Sequence, residues 1–401
     1  MKKIAVVGAG PAGIYTSILL KDFPVGVTLF EQNKSIGEKL KLTGGGRMNI
    51  TNKVFSVDKF SSSQPKLLKH FFKNPIAKNP ESIFSELGIE WVWEENRAIL
   101  ASGEAVEEVF RLKNELEQQK NVNLVLGSKV SAVTKKGDLF ELTVQSHGKT
   151  SKEVFDVLIL MSGGMFRVRE FGDKEQIYTL PISLGHKIQT ITPSLSPLSI
   201  EGKPFRALAG ISLRVELTDI QTKKSLKGDL VLTHFGISGP VVLDFSSMLS
   251  GTEMEMNFLP DILESDFVEK FQVFRQGKHF VRTFLKAFLP QRVVDFLLEF
   301  SQIEKESLIA DISKEKLKKL RRNLFRYELN NVSKQDFSAC WTTKGGVDLA
   351  EVSLSTLESK KHQNLFFGGE ILDIDGLCGG YNISFAAICA KIVTETLKKL
   401  A

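Results

Sequence analysis

Apolar residues are concentrated near the start of the chain, and their spacing sets the first elements. Ile4-Ala5-Val6-Val7 is a short, β-branched apolar run behind Lys2 and Lys3, the pattern of a strand buried on both faces. A glycine-rich turn follows, and the spacing then predicts a helix over roughly residues 12–22. Val27-Thr28-Leu29-Phe30 predicts a second strand, ending at Glu31. The three elements make one βαβ unit.

Residues 104–120 carry Val106, Val109, Phe110, Leu112 and Leu116 at helical spacing among charges, which predicts an amphipathic helix with those five toward one side. Alternation over 122–126, 129–134 and 139–145 predicts strands, with a turn at Lys136-Gly137-Asp138. Residues 155–160 read as one more buried strand, running into Gly163-Gly164. From about 192 to 258 the pattern is strand-rich with Pro and Gly punctuation. It turns helical from about 260 to 331, with Phe267, Phe271 and Phe274 on one face and Phe284, Leu285, Phe288 and Leu289 on another, until Pro290 stops the run. A strand at 364–367, a glycine-dense loop and a helix from Asn382 to Leu400 close the chain.

This order predicts an α/β fold interrupted by an insertion. The first part of a nucleotide-binding domain spans 1–190, a β-rich domain 191–258, a helical subdomain 259–331, a return to the β-rich part 332–344, and the last part of the first domain 345–401. A length of 401 residues is too much for one simple core. No apolar run is long enough to span a bilayer. The start resembles a short signal peptide, but Gly8, Gly10 and Gly13 interrupt it and no small-residue cleavage site follows, so a cytoplasmic protein is expected. Cys340, Cys378 and Cys389 form no CxxC pair, so neither a disulfide framework nor a metal site is expected. The net charge of +6 is mild, compatible with anionic substrates without requiring them.

Gly8-Ala9-Gly10-Pro11-Ala12-Gly13 matches GxGxxG between a strand and a helix, with an acidic residue at the end of the next strand. Gly8 allows the tight turn, Gly10 lets a pyrophosphate approach the backbone, and Gly13 permits close packing of the helix. The helix N-terminus offers free N–H groups to phosphate. Glu31 is suited to the adenosine ribose hydroxyls and would repel a 2′-phosphate. The motif alone does not separate FAD from NAD. Lys39-Leu40-Lys41-Leu42-Thr43-Gly44-Gly45-Gly46-Arg47-Met48-Asn49 is a second glycine-dense loop, where consecutive glycines suggest bare backbone against a ligand. A flexible surface loop is the alternative. The third cluster runs from Gly368-Gly369-Glu370 to Gly379-Gly380-Tyr381-Asn382, at a helix start suited to the flavin edge that becomes negative on reduction.

The motifs GxGxxG, LTGGGRMNITN, MSGG at 162–164, LTHFGISGP at 232–240, TKGGV at 343–347 and GGEILDIDGLCGGYNIS at 368–384 together resemble the HI0933-like (aminoacetone-oxidase-like) family of FAD proteins. The resemblance implies a glutathione-reductase-type FAD-binding Rossmann domain, an inserted β-barrel-like domain and a small helical domain. It implies FAD contacts at Gly8, Gly10, Gly13, Glu31, Gly46, Arg47, Val130, Gly163, Glu370, Asn382 and Ile383. The neighbouring motif positions Pro11, Ala12, Lys39, Gly45, Met48, Gly164, Gly369, Gly380 and Tyr381 complete the expected cofactor site. One departure stands out: the family's loop commonly reads GGGRCN, and here Met48 replaces the cysteine. Cys378 is expected to be a small buried hydrophobe.

The expected chemistry is hydride transfer between flavin and a small substrate, either amine oxidation or reduction of an activated C=C. Dioxygen or a transient NAD(P)H would be the second partner, since no second GxGxxG follows. His234, in the loop Leu232–Pro240, is the candidate proton-transfer residue, with a turn-fixing role as the alternative. Lys314, Lys316, Lys318, Lys319, Arg321, Arg322 and Arg326 crowd one predicted helix. They read as a solvated face or as a contact for RNA phosphates, with Phe325 and Tyr327 the nearest aromatic residues. The family resemblance extends to flavin reductases acting on uracil in ribosomal RNA, which makes such an enzyme the second reading. A non-catalytic flavin-binding protein is the third.

Overall fold

The computed structural model describes residues 1–146, 148–166 and 177–400. The chain divides into two compact units, Met1–Ser194 with Cys340–Ala401, and Leu195–Ala339.

In the first unit the strand Lys2–Val7 lies at the centre of a five-stranded parallel sheet. Val25–Phe30 and Val157–Leu160 flank it, and Val122–Val125 and Leu365–Phe367 form the edges. Ile4 to Val7 are all buried, as a strand covered on both faces must be. Parallel neighbours need a crossover. The first is the helix Pro11–Leu19, buried from Ala12 onward. It packs along the helix Tyr381–Leu400, whose buried Ala386, Ala387 and Ala390 keep the contact surface small. The apolar run read at 155–160 divides at Asp156, whose carboxylate accepts the Lys3 N–H at 2.7 Å. Phe155 ends the antiparallel sheet of Ser128–Lys136, Leu139–Ser146 and Lys149–Phe155, while Val157 begins the parallel strand.

The helix Ala105–Gln118 buries Ala105, Val109, Leu112 and Leu116. Val106 and Phe110, expected on the same side, are 57% and 62% exposed. Each sits one residue beyond a buried position, a rotation of about 100° that carries it off the stripe.

The chain leaves this unit through the strand Ile188–Ser194 and re-enters through Thr342–Val347, and the two pair antiparallel with Ser194 opposite Thr342. The second unit holds a seven-stranded antiparallel sheet. Its order is Tyr327–Leu329, Met254–Asn257, Ser212–Asp219, Ser225–Leu232, Gly236–Ser238, Leu198–Ile200 and Val332–Lys334. Its two edge strands are consecutive in the chain, joined only by Asn330 and Asn331. That short link holds the edges within a few residues' reach, so the sheet curls round. Leu213, Val215, Leu217 and Asp219 alternate inward along one strand. Helices Glu264–Phe274, Val281–Leu285, Gln291–Phe300 and Lys314–Phe325 share this core, burying Phe267, Phe271, Phe284 and Leu285.

Candidate functional site

The three motif glycines meet different surroundings. Gly8 has φ +105°, and a Cβ there would lie 2.5 Å from the Met161 carbonyl oxygen. A Cβ at Gly13 would overlap the Gly8 carbonyl oxygen, so Gly13 lets the helix close on the turn itself. Gly10 is different: a Cβ there meets nothing within 4 Å. Pro11 opens the helix with no side-chain cap from Gly10, and the first intrahelical bond is Ile14 N to Gly10 O at 3.0 Å. The Ala12 and Gly13 N–H groups therefore have no intrahelical acceptor.

Glu31 is buried at the end of Val25–Phe30. Its Oε2 accepts the Ala9 N–H at 2.8 Å, and its Oε1 accepts the backbone and side-chain N–H of Asn33, each at 2.8 Å. Burial pushes its pKa above the ordinary carboxylate value, against the lowering effect of those donors. The Ser128 N–H donates to the Glu31 carbonyl at 2.8 Å, which places the strand Ser128–Lys136 beside it. Val130 is in that strand, where the register with Leu139–Ser146 shifts between Val130 and Ala132. Such a shift breaks the regular ladder next to Val130.

Gly44, Gly45 and Gly46 all have positive φ, a conformation that favours glycine. A Cβ at Gly45, Gly46 or Gly163 would meet nothing within 4 Å. Lys39, just before this loop, is ion-paired with Glu370. The other Glu370 oxygen accepts the Thr343 N–H at 2.9 Å. A Cβ at Gly164 would lie 2.7 Å from that same oxygen, and one at Gly369 would lie 3.0 Å from Ala12 Cβ. These contacts join segments that are far apart in sequence. Thr343 and Asn33 were not expected among them: Thr343 holds Glu370 through a backbone N–H, which no side-chain pattern reveals, and Asn33 holds Glu31 through its backbone and side-chain N–H together.

The start of the helix Tyr381–Leu400 lies against the strand Asn49–Asn52. A Cβ at Gly380 would lie 2.5 Å from Thr51 N, and Ser384 Oγ donates to the Ile50 carbonyl at 3.0 Å. Asn382 clamps Gly376 with two 2.8 Å bonds, and the Tyr381 hydroxyl donates to the Val54 carbonyl at 3.1 Å. These two side chains fix the loop. The N–H groups of Asn382 and Ile383 precede the first helical bond, from Ser384 N to the Gly380 carbonyl at 2.9 Å. Met48 is buried with φ +53°, so its side chain packs in the core. Arg47 is half-exposed and makes a bidentate pair with Glu94. Cys378 is partly exposed rather than buried.

The residues present fit an FAD dinucleotide. Gly10, Gly45, Gly46 and Gly163 are bare where added side chains would enter open space, and Glu31 and Glu370 stand beside these loops. The Ser162 hydroxyl, also in this segment, is buried without a hydrogen-bond partner. Among the described residues no group of three or more His, Cys, Asp or Glu is placed to hold a metal ion, and no helix is long and apolar enough to cross a membrane.

His234 belongs to the other unit. It is exposed, its ring meets the Phe235 ring edge-on at 5.1 Å, and no carboxylate among the described residues is bonded to it. Thr233 fixes the turn instead, through its N–H to the Gly236 carbonyl at 2.9 Å and its Oγ1 accepting the Gly236 N–H at 3.1 Å. On the helix Lys314–Phe325, Arg321 bonds Glu264 at 2.7 Å and Arg322 bonds Glu328 at 2.5 Å. Phe325 and Tyr327 are buried, which removes them as stacking surfaces.

The family model described as the HI0933-like protein Rossmann domain matches residues 2–395. The chain is 31% identical over 394 residues to a protein named ribosomal RNA dihydrouridine synthase from Haemophilus influenzae, covering 95% of this chain and 94% of that one. It is 28% identical over 390 residues to the Escherichia coli protein of the same name, covering 95% and 94%. It is 27% identical over 400 residues to a 3-dehydro-bile acid delta(4,6)-reductase from Clostridium scindens, covering 96% of each. Nearly complete coverage, together with a dinucleotide cradle, gives one assignment: the chain belongs to the HI0933-like family of FAD-dependent oxidoreductases.

Proposed function

We propose that the protein reduces a carbon–carbon double bond conjugated to a carbonyl, and that its substrate is a uracil base in RNA. The observation that carries the reading is the cradle of bare backbone at Gly10, Gly45, Gly46 and Gly163 beside Glu31 and Glu370. Relatives named as a dihydrouridine synthase and as a delta(4,6)-reductase both saturate double bonds of this type. RNA is favoured over a free small molecule by Lys314, Lys316 and Lys318, exposed cations with no ion pair among the described residues.

When bound, FAD supplies hydride chemistry. The chain supplies the rest. Glu31, held by Ala9 and Asn33, is positioned for the ribose hydroxyls of the adenosine, and Val130, two residues along the strand from Ser128, offers backbone at a break in its pairing for the adenine. The N–H groups of Ala12 and Gly13 are available for the pyrophosphate, and Glu370, fixed by Lys39 and Thr343, for the ribityl chain. The N–H groups of Asn382 and Ile383 stand at the N-terminus of the helix Tyr381–Leu400, where its dipole favours negative charge. Net reduction adds one hydride and one proton across the double bond, with NAD(P)H as the proposed source of electrons. His234 is the proposed proton donor.

The test is anaerobic. The purified yellow protein is mixed in turn with NADH, NADPH and aminoacetone while flavin absorbance is followed. It is then given ribosomal RNA, and nucleosides are analysed by mass. Bleaching by a nicotinamide nucleotide, with gain of two hydrogens on uridine, is the expected result. Bleaching by aminoacetone with no change in RNA sinks the reading. His234→Ala is expected to lower turnover at least tenfold with flavin content unchanged.

A further inference from the structure

The helices Glu264–Phe274 and Lys314–Phe325 lie antiparallel within the second unit, and their two ends differ in kind. At one end Glu264 holds both Arg321, at 2.7 Å, and Arg326, at 3.7 Å. There the cations are spoken for. At the other end, Arg275 donates to the Ile312 carbonyl at 3.2 Å, just ahead of Ser313, the residue that caps the basic helix. The loop that follows Arg275 is fastened to the same segment. Ile309 N donates to the His279 carbonyl at 2.8 Å, Val281 N donates to the Ser307 carbonyl at 3.0 Å, and Phe280 bridges Leu308. Loop 275–280 and the first turn of the basic helix therefore form one surface.

That surface combines two chemistries. Phe274 and Phe280 are 40% and 45% exposed, although the same unit buries Phe267, Phe271 and Phe284 completely or nearly so. The Phe274 ring meets the exposed His279 ring edge-on at 4.9 Å. Lys278 in this loop, and Lys314 and Lys316 in the first turn of the basic helix, are exposed and make no ion pair among the described residues. Aromatic rings left in water cost hydrophobic free energy, and unpaired cations crowded together repel one another. Phe274 keeps one contact with the core, its ring 5.2 Å from that of Phe284, but the exposed ring faces and the unpaired cations do not serve the fold. Both suit a ligand with flat apolar faces strung on a chain of negative charge.

We infer that the loop Arg275–Phe280, with Phe274 and the first turn of Lys314–Phe325, is a docking surface for unpaired RNA. Phe274, His279 and Phe280 stack bases, and Lys278, Lys314 and Lys316 hold the phosphates. A duplex would hide its base faces, so single-stranded RNA is the form the rings select. This rests on the RNA reading above and adds where the RNA is held. It also moves the contact away from Arg321 and Arg322, whose charges Glu264 and Glu328 already balance.

The test uses the full-length holoprotein and a short fluorescein-labelled oligouridine, followed by anisotropy from about 50 to 200 mM salt. Phe280→Ala is expected to weaken binding by on the order of tenfold with little change in salt slope, because stacking releases no counterions. Lys278→Glu and Lys316→Glu are each expected to flatten the slope by about 0.7. Lys319→Glu should have the smaller effect, and flavin content should not change in any variant. Phe274→Ala removes a ring that also touches Phe284, so photocrosslinking of the unmodified protein is the companion measurement, expected to label the peptide around Lys278–Phe280. Unaltered binding in these variants, with crosslinks elsewhere, overturns the docking surface and leaves the RNA reading standing. Absence of any binding to the oligonucleotide or to ribosomal RNA overturns both. A change in oligomeric state without a change in RNA affinity reassigns the face to contacts between copies and overturns the proposal.

Discussion

Glu31 and Asp219 are both buried carboxylates at a strand end, one in each unit, and they behave in opposite ways. Asp219 accepts four bonds: from the N–H groups of Gln221 at 2.8 Å and Thr222 at 3.2 Å, and from the N–H and hydroxyl of Ser250 at 2.9 and 2.7 Å. Burial works to raise its pKa, and the four donors overcome that and hold it down at about 2. Glu31 has three donors, and burial wins, so its pKa is raised. Asp219 is charged because the fold is better for it. Glu31, with one donor fewer, is held by Ala9 and Asn33 alone. Burial and hydrogen bonding thus balance in opposite directions at the two carboxylates.

Glycine substitutions test the first unit most strongly. Gly13→Val drives a side chain into the Gly8 carbonyl and is expected to prevent the first unit from folding, seen as loss of soluble protein or of its cooperative unfolding transition. Gly10→Val enters open space from an ordinary φ of −78°, so it should fold normally and purify without flavin. A yellow Gly10→Val protein at full FAD content rules out the cradle. Next in size is Asp219→Asn, which sets an amide among four donors and should destabilise the second unit by about 2–3 kcal/mol in denaturant titrations at neutral pH.

The acid limb follows from the same carboxylate. A folded-state pKa near 2, below the ordinary 3.8, means its contribution is complete above about pH 4 and is lost as the pH falls through 2. That loss is on the order of 2 kcal/mol and should be missing in Asp219→Asn. The smallest effect is expected at Glu31→Gln. Unfolding of the FAD-free protein should change by less than about 1 kcal/mol, while FAD affinity falls about tenfold, measured by flavin fluorescence. Equal losses in both would remove the contrast with Asp219.

Much of the first unit is legible in sequence because its chemistry lies in the backbone and glycine announces bare backbone. Gly8, Gly10, Gly13 and the run Gly44–Gly46 point to the cradle without any knowledge of the packing. Glu31 is legible because a strand ends on it. What resists reading is anything decided by a partner distant in the chain. Arg47 faces Glu94, and Lys39 meets Glu370 across 331 positions. Val106 and Phe110 mislead because apolar residues spaced three and four apart on a helix fit two adjoining stripes, and only packing chooses between them. Cations on Lys314–Phe325 look equivalent in sequence, yet Glu264 and Glu328 divide them into paired and unpaired groups.

The antiparallel pair Ile188–Ser194 and Thr342–Val347 has a consequence for where the chain can be shortened. With Ser194 facing Thr342, the chain leaves and re-enters the first unit on paired strands, so Leu195–Ala339 is one continuous insertion between the two strands of this stem. The strand pairing of the first unit, the flavin housing, draws on no residue between 195 and 339. A tight hairpin spliced across that stem should yield a shortened protein that still folds and turns yellow with FAD, and a colourless aggregate would show that the housing depends on its graft.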